Sequence, residues 1–173
     1  MKPRYAMPLT LAAGVVLISV SSAVGAPAAL NNKTILVGFT ISGMAKTPDG
    51  GTTSVSRNVQ RTVYVSTQGR VFVRAARQAG RNSETKERGP GEGGLRFAGN
   101  NLVGVMGLIS GASQLVVSFD PGFQSCTTNV IMGAENGKPI TWKGLNGKQM
   151  TAVGRPTVSG QTCSIRDGNA LAD

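Results

Sequence analysis

The stretch Arg61-Thr62-Val63-Tyr64-Val65-Ser66-Thr67-Gln68-Gly69-Arg70-Val71-Phe72-Val73-Arg74 decides the fold class. Valine, threonine, tyrosine and phenylalanine fill it, residue types that favour a pleated, half-buried strand. Gln68-Gly69 sits at its centre, a two-residue connection with glycine, so the stretch predicts a β-hairpin.

The same pattern extends outward in both directions. Residues 34–42 read as the preceding strand, after a short tether over 28–33. The run Thr47-Pro48-Asp49-Gly50-Gly51 reads as a turn, with proline presetting φ and glycine accepting a positive one. Downstream, residues 95–97 and 126–132 read as strands. Residues 101–109 and 114–119 form a second hairpin around 110–113. Asp120-Pro121-Gly122 is another turn. Asn-Gly-Lys occurs at 136–138 and again at 146–148, and the intervening strand makes a three-strand meander. Residues 151–158 and 161–166 form a last hairpin around Ser159-Gly160, and the tail 167–173 frays. These elements predict an all-β fold, a single antiparallel β-sandwich or small β-barrel of about 8–10 short strands. The strands are too short, and the aromatic residues at 5% too few, for an outer-membrane barrel.

One segment breaks the pattern. Residues 77–94 mix charge and glycine without periodicity and read as a flexible Arg/Gly-rich loop.

The N-terminus carries a different signal. Lys2 and Arg4 precede an uncharged apolar run from Ala6 to Val20, and small residues follow through Ala26. That order is a secretory signal peptide over residues 1–28, a helix in its apolar part, with cleavage near Ala26–Ala28. An uncleaved signal anchor tethering the protein to a membrane is the alternative. The domain proper is then 29–173, exported to a periplasmic or extracellular space. In such a compartment Cys126 and Cys163, the chain's two cysteines, are expected to form one disulfide. It would close a loop of roughly forty residues and contribute about 4 kcal/mol in the chain-entropy model.

Composition excludes several functions. There is no histidine, which removes the commonest metal ligand, the usual proton shuttle and the Ser/His and Cys/His nucleophile pairs. The chain has eight carboxylates, and most sit in turns, in the 77–94 segment or at the terminus. No SxxK or GxSxG pattern is present. The expectation is a non-enzymatic protein with no metal and no cofactor; a hydrolase would need two carboxylates on rigid elements, for which Asp120 and Asp167 are the candidates.

Charge concentrates in one place. The net charge of +10 becomes +8 once Lys2 and Arg4 leave with the signal. Between residues 57 and 96 nine basic residues face three glutamates, and eight of the nine are arginine. Arginine favours forked contacts to phosphate or carboxylate. Arg57, Arg61, Arg70, Arg74, Arg77, Arg81 and Arg88 are therefore the candidate anion-binding residues, with Tyr64 and Phe72 as candidate aromatic contacts. The partner would be an anionic polymer or lipid head groups at an envelope or outside the cell. Charged edge strands that merely prevent aggregation explain the same residues. Two other roles stay open: a structural or assembly protein that pairs with a protein partner by edge-strand addition, and a barrel carrying a small ligand.

Overall fold

The computed structural model describes residues 25–79, 81–89, 92, 94–105, 113–133, 139–143 and 147–172. The apolar run and small residues of the signal reading lie outside them up to residue 24, as does the first Asn-Gly-Lys triplet. Among the described residues the chain forms ten strands and one 3₁₀ turn, Ala28–Leu30. No helix among them is long and apolar enough to cross a membrane.

The hairpin that decided the fold is present. It joins β2 (Thr52–Val65) to β3 (Val71–Ala79), with Tyr64 opposite Phe72 and Val63 opposite Val73. Its connection is wider than two residues. The Ser66 N–H donates to the Arg70 carbonyl (2.8 Å) and the Gly69 N–H to the Ser66 carbonyl (2.9 Å), with Gly69 at φ +73°. Residues 47–51 repeat this closure between β1 (Lys33–Lys46) and β2. The Thr47 N–H donates to Gly51 O (2.9 Å), the Gly50 N–H to Thr47 O (3.0 Å), and Gly50 stands at φ +85°. A four-residue turn ending in a left-handed residue brings strands together through a bulge, and glycine meets that requirement without steric cost.

Two antiparallel sheets result, curled into a half-barrel that packs like a sandwich. The larger has the order β4-β3-β2-β1-β10-β9, where β4 is Asn82–Arg88, β9 is Thr141–Lys143 and β10 is Gln149–Asp167. The smaller runs β5-β6-β7-β8, with β5 Leu95–Ala98, β6 Asn101–Val105, β7 Gln114–Phe119 and β8 Cys126–Ile131. Ile35, Val37, Phe39, Val59, Val63 and Val73 of the large sheet pack against Phe97, Leu102, Leu115, Val117, Phe119 and Val130 of the small one in a single core. Each fully buried side chain of this kind contributes about 1.5–3 kcal/mol.

Five local expectations change. The three-strand meander does not form: Thr141–Lys143 pair with β10 in the large sheet, whereas Cys126–Ile131 pair with β7 in the small one. Residues 77–94 are not one loop: β3 runs to Ala79, and Asn82–Arg88 pair back onto it from Ala79↔Asn82 to Val73↔Arg88. Charged residues on both faces hide this strand from a hydrophobic pattern, since β4 is an edge strand. The last "hairpin" is one continuous strand of 19 residues. Gly160 (φ +61°) makes a bulge where the β1 register skips between Gly38 and Thr40, so its positive φ bends the strand instead of reversing it. The tether at 28–33 is anchored by Leu30, which is fully buried. Finally, residues 168–172 dock instead of fraying. Buried Thr34 donates to Gly168 O (2.6 Å) and accepts from the Ala170 N–H (3.1 Å), and Arg74 donates to Leu171 O (2.6 Å).

The disulfide between Cys126 and Cys163 forms, with Cα atoms 5.6 Å apart. It ties the edge of the small sheet to β10. The Thr128 hydroxyl donates to Thr162 O (3.2 Å), and Arg155 donates to Met132 O (3.0 Å), along the same seam.

Candidate anion-binding groove

Directly opposed residues of an antiparallel ladder share a face. The registers Val37↔Arg61, Val59↔Arg77, Val73↔Arg88 and Ala75↔Lys86 therefore put Arg61, Arg77, Lys86 and Arg88 on the inner face of the large sheet, the face that carries the core. All four line one groove of about 330 Å³ where the two sheets part. Val73 and Ala75 line its large-sheet side, and Leu95, Val105 and Leu115 of the small sheet line the other. Glu92 also lines it and accepts from the Gly89 N–H (3.2 Å).

Arg61 is half-buried in the groove. Burial first, and the Arg77 charge second, push its guanidinium down to about 10. It stays protonated at neutral pH, and an anion in the groove would relieve both penalties. Its Nη1 donates to Gln60 O (3.0 Å).

The remaining candidate residues lie elsewhere. Arg57, 8% exposed, shares the inner face but donates to Lys143 O (3.4 Å) in a separate small apolar cleft with Ile140 and Trp142. It stands four residues from Arg61, about 13 Å along the strand. Arg70 lies at the β2–β3 turn and Arg81 in the turn between β3 and β4. Arg74 is on the outer face, held by Glu87 (2.7 Å) and Leu171 O. Tyr64 and Phe72 are also on that outer face, 6.2 Å apart, and the Tyr64 hydroxyl donates to Asn32 (3.1 Å). The structure thus does not bring the two aromatic rings to the groove arginines; a period of two separates them onto opposite faces.

Lys86 and the apolar wall are absent from the candidate residues of the sequence. The signal for Lys86 was the alternation Lys86-Glu87-Arg88, which sends both cations one way and the carboxylate the other. Nothing local marked Leu95, Val105 and Leu115, because the opposing sheet brings them there.

The groove presents four cationic side chains, Arg61 and Arg77 half-buried and Lys86 and Arg88 exposed, beside apolar carbon, an arrangement suited to binding. Asp120, by contrast, organises a turn: its carboxylate accepts from the N–H groups of Gln124 (2.7 Å), Ser125 (2.7 Å) and Gly122 (3.2 Å). Asp167 pairs with Lys33 at 3.1 Å. Among the described residues no three His, Cys, Asp or Glu side chains gather into a metal-sized group. No protein-family model, curated relative or solved structure matches the chain.

Proposed function

We propose that this is an exported, non-enzymatic domain that captures anionic groups of envelope or extracellular molecules in the groove between its sheets. The observation that carries the reading is the convergence of Arg61, Arg77, Lys86 and Arg88 on one concave site. Guanidinium forks in a partly desolvated site bind phosphate or carboxylate more strongly than the same groups in open water. The signal-like N-terminus and the Cys126–Cys163 disulfide support the exported location.

The test is a salt titration of the purified protein on lipopolysaccharide, heparin and DNA. Binding should fall steeply as salt rises, and Arg61→Gln, Arg77→Gln and Arg88→Gln together should weaken it at least tenfold. Binding unchanged in the triple variant sinks the reading.

One observation favours a second reading, assembly by strand addition. The large sheet ends at β4, whose outer edge carries no ladder among the described residues. A complex formed there would be insensitive to salt and lost in Thr85→Pro.

A further inference from the structure

The outer face of the large sheet is hollowed too, and its lining is unlike that of the inner groove. One row of directly opposed residues crosses five strands: Thr162 on β10, Gly38 on β1, Gln60 on β2, Ala76 on β3 and Thr85 on β4. Glycine and alanine flank Gln60, so the surface dips on either side of one amide. A Cβ at Gly38 would fall 2.7 Å from Thr162 Oγ1; without it, that hydroxyl lies over the strand and donates to Gly38 O (3.4 Å). The next row is Thr40, Asn58 and Gln78. Both rows line a cavity of about 320 Å³, in the range of small-ligand sites. A second hollow of about 190 Å³ shares Gly38, Gln60 and Thr162 with it and continues to Thr62 and Ser164. From Asn58 to Thr62 is about 13 Å along the strand.

The chemistry of the lining selects a ligand. The chain carries 18 lysines and arginines, yet neither row holds one. Arg61 and Arg77 lie on the same strands, and alternation sends their side chains to the inner face. Beside Thr62, Arg74 is taken up by Glu87 (2.7 Å) and Leu171 O (2.6 Å), and the docked tail closes that end over Thr34. An anion here would meet amides and hydroxyls in place of cations. Thr40 Oγ1 donates to Asn58 Oδ1 (2.9 Å), leaving the Asn58 amide nitrogen to donate elsewhere. Amides and hydroxyls both donate and accept, as sugar hydroxyls do, and Gly38 and Ala76 leave room for a sugar ring between them.

We infer that this outer face binds a neutral glycan, a chain of uncharged hexose or N-acetylhexosamine units lying along β2 from Asn58 to Thr62, with Gln60 hydrogen-bonded at its centre. The site is on the opposite face from the anion groove, so either assignment can fail alone.

Calorimetry on the purified protein tests it, with cellohexaose, maltohexaose, mannohexaose, chitohexaose and an uncharged glycine-serine dodecapeptide. At least one hexasaccharide should bind one-to-one, its affinity changing less than twofold over a tenfold rise in salt. Asn58→Ala with Gln60→Ala, both exposed positions, should weaken that binding at least tenfold and leave the urea midpoint unchanged. Should the double variant lose stability, Ala76→Leu decides: a larger side chain beside Gln60 should weaken glycan binding at least tenfold. The inference is overturned if no hexasaccharide binds, or if the deciding variant binds normally. It is overturned equally by an affinity that falls steeply with salt, which places the ligand on cations, and by a peptide bound as tightly as the best glycan.

Discussion

Arg61 stands directly opposite Val37 across the β1–β2 ladder, a cation on the same face as a valine that is 3% exposed. The inner face of the large sheet therefore passes from core to charged wall within one cross-strand pair. Under the proposed anion capture, stability and binding pull in opposite directions at position 61.

Replacing Arg61 by methionine removes a partly desolvated charge and keeps most of the side-chain volume. The expected effect on stability is between neutral and about 2 kcal/mol stabilising. Anion binding should fall at least tenfold, about 1.4 kcal/mol. Urea unfolding and calorimetry on the same sample check the pair of signs; a variant that loses stability and keeps binding contradicts the placement of Arg61 in the groove.

Gly104 and Gly38 offer a matched comparison. A Cβ at Gly104 would fall 2.7 Å from the Gly94 carbonyl oxygen, which is backbone and has nowhere to go. A Cβ at Gly38 would fall 2.7 Å from the Thr162 hydroxyl, which can rotate. Gly104→Ala should cost about 1–3 kcal/mol and Gly38→Ala clearly less. Urea midpoints of the two variants rank them directly.

Reduction of Cys126–Cys163 removes a cross-link between residues 37 apart in sequence. The loss should be about 4 kcal/mol in the chain-entropy model. Unfolding of Cys126→Ser with Cys163→Ser, compared with the oxidised protein, measures it. A loss near zero would mean that the Thr128 and Arg155 hydrogen bonds hold the β8–β10 seam by themselves.

Asp120 should give the molecule part of its acid sensitivity. The backbone hydrogen bond from Ser125, assisted by those from Gln124 and Gly122, holds its carboxyl below the usual carboxylate range. A lowered carboxylate contributes stability that is complete above the unfolded value near 3.9 and is lost as pH falls through the lower folded value. Asp120→Asn should therefore be less stable than the natural protein at pH 7, and the gap should close towards pH 2. Urea midpoints of both proteins at the two pH values supply the check.

The fold class was legible because β-branched residues and glycine turns repeat along most of the chain. Position within the sheets was less so. Gly69 at a turn and Gly160 at a bulge both adopt positive φ, and only the partner strand distinguishes reversal from bending. Strand β4 escaped because an edge strand needs no hydrophobic face, so Asn82–Arg88 looks like loop until β3 lies beside it. The arginine cluster was visible as charge, but its division into groove, turn and outer-face members follows from register. One residue separates Phe72 from Val73, and that residue decides which side of the sheet each occupies.

The pairing of Lys33 with Asp167 joins residues 134 apart in sequence, at the centre of the large sheet. Strand β1 precedes every other described strand, yet one of its two neighbours is β10, the last of them. The sheet cannot close around β1 until the C-terminal segment has emerged, and pairing at such separation is slow to form. The β1 edge of the sheet therefore stays open until β10 is available. For the exported protein proposed above, that delay is the state a membrane pore requires, and the final strand both completes the sheet and ends the interval in which the chain can be threaded.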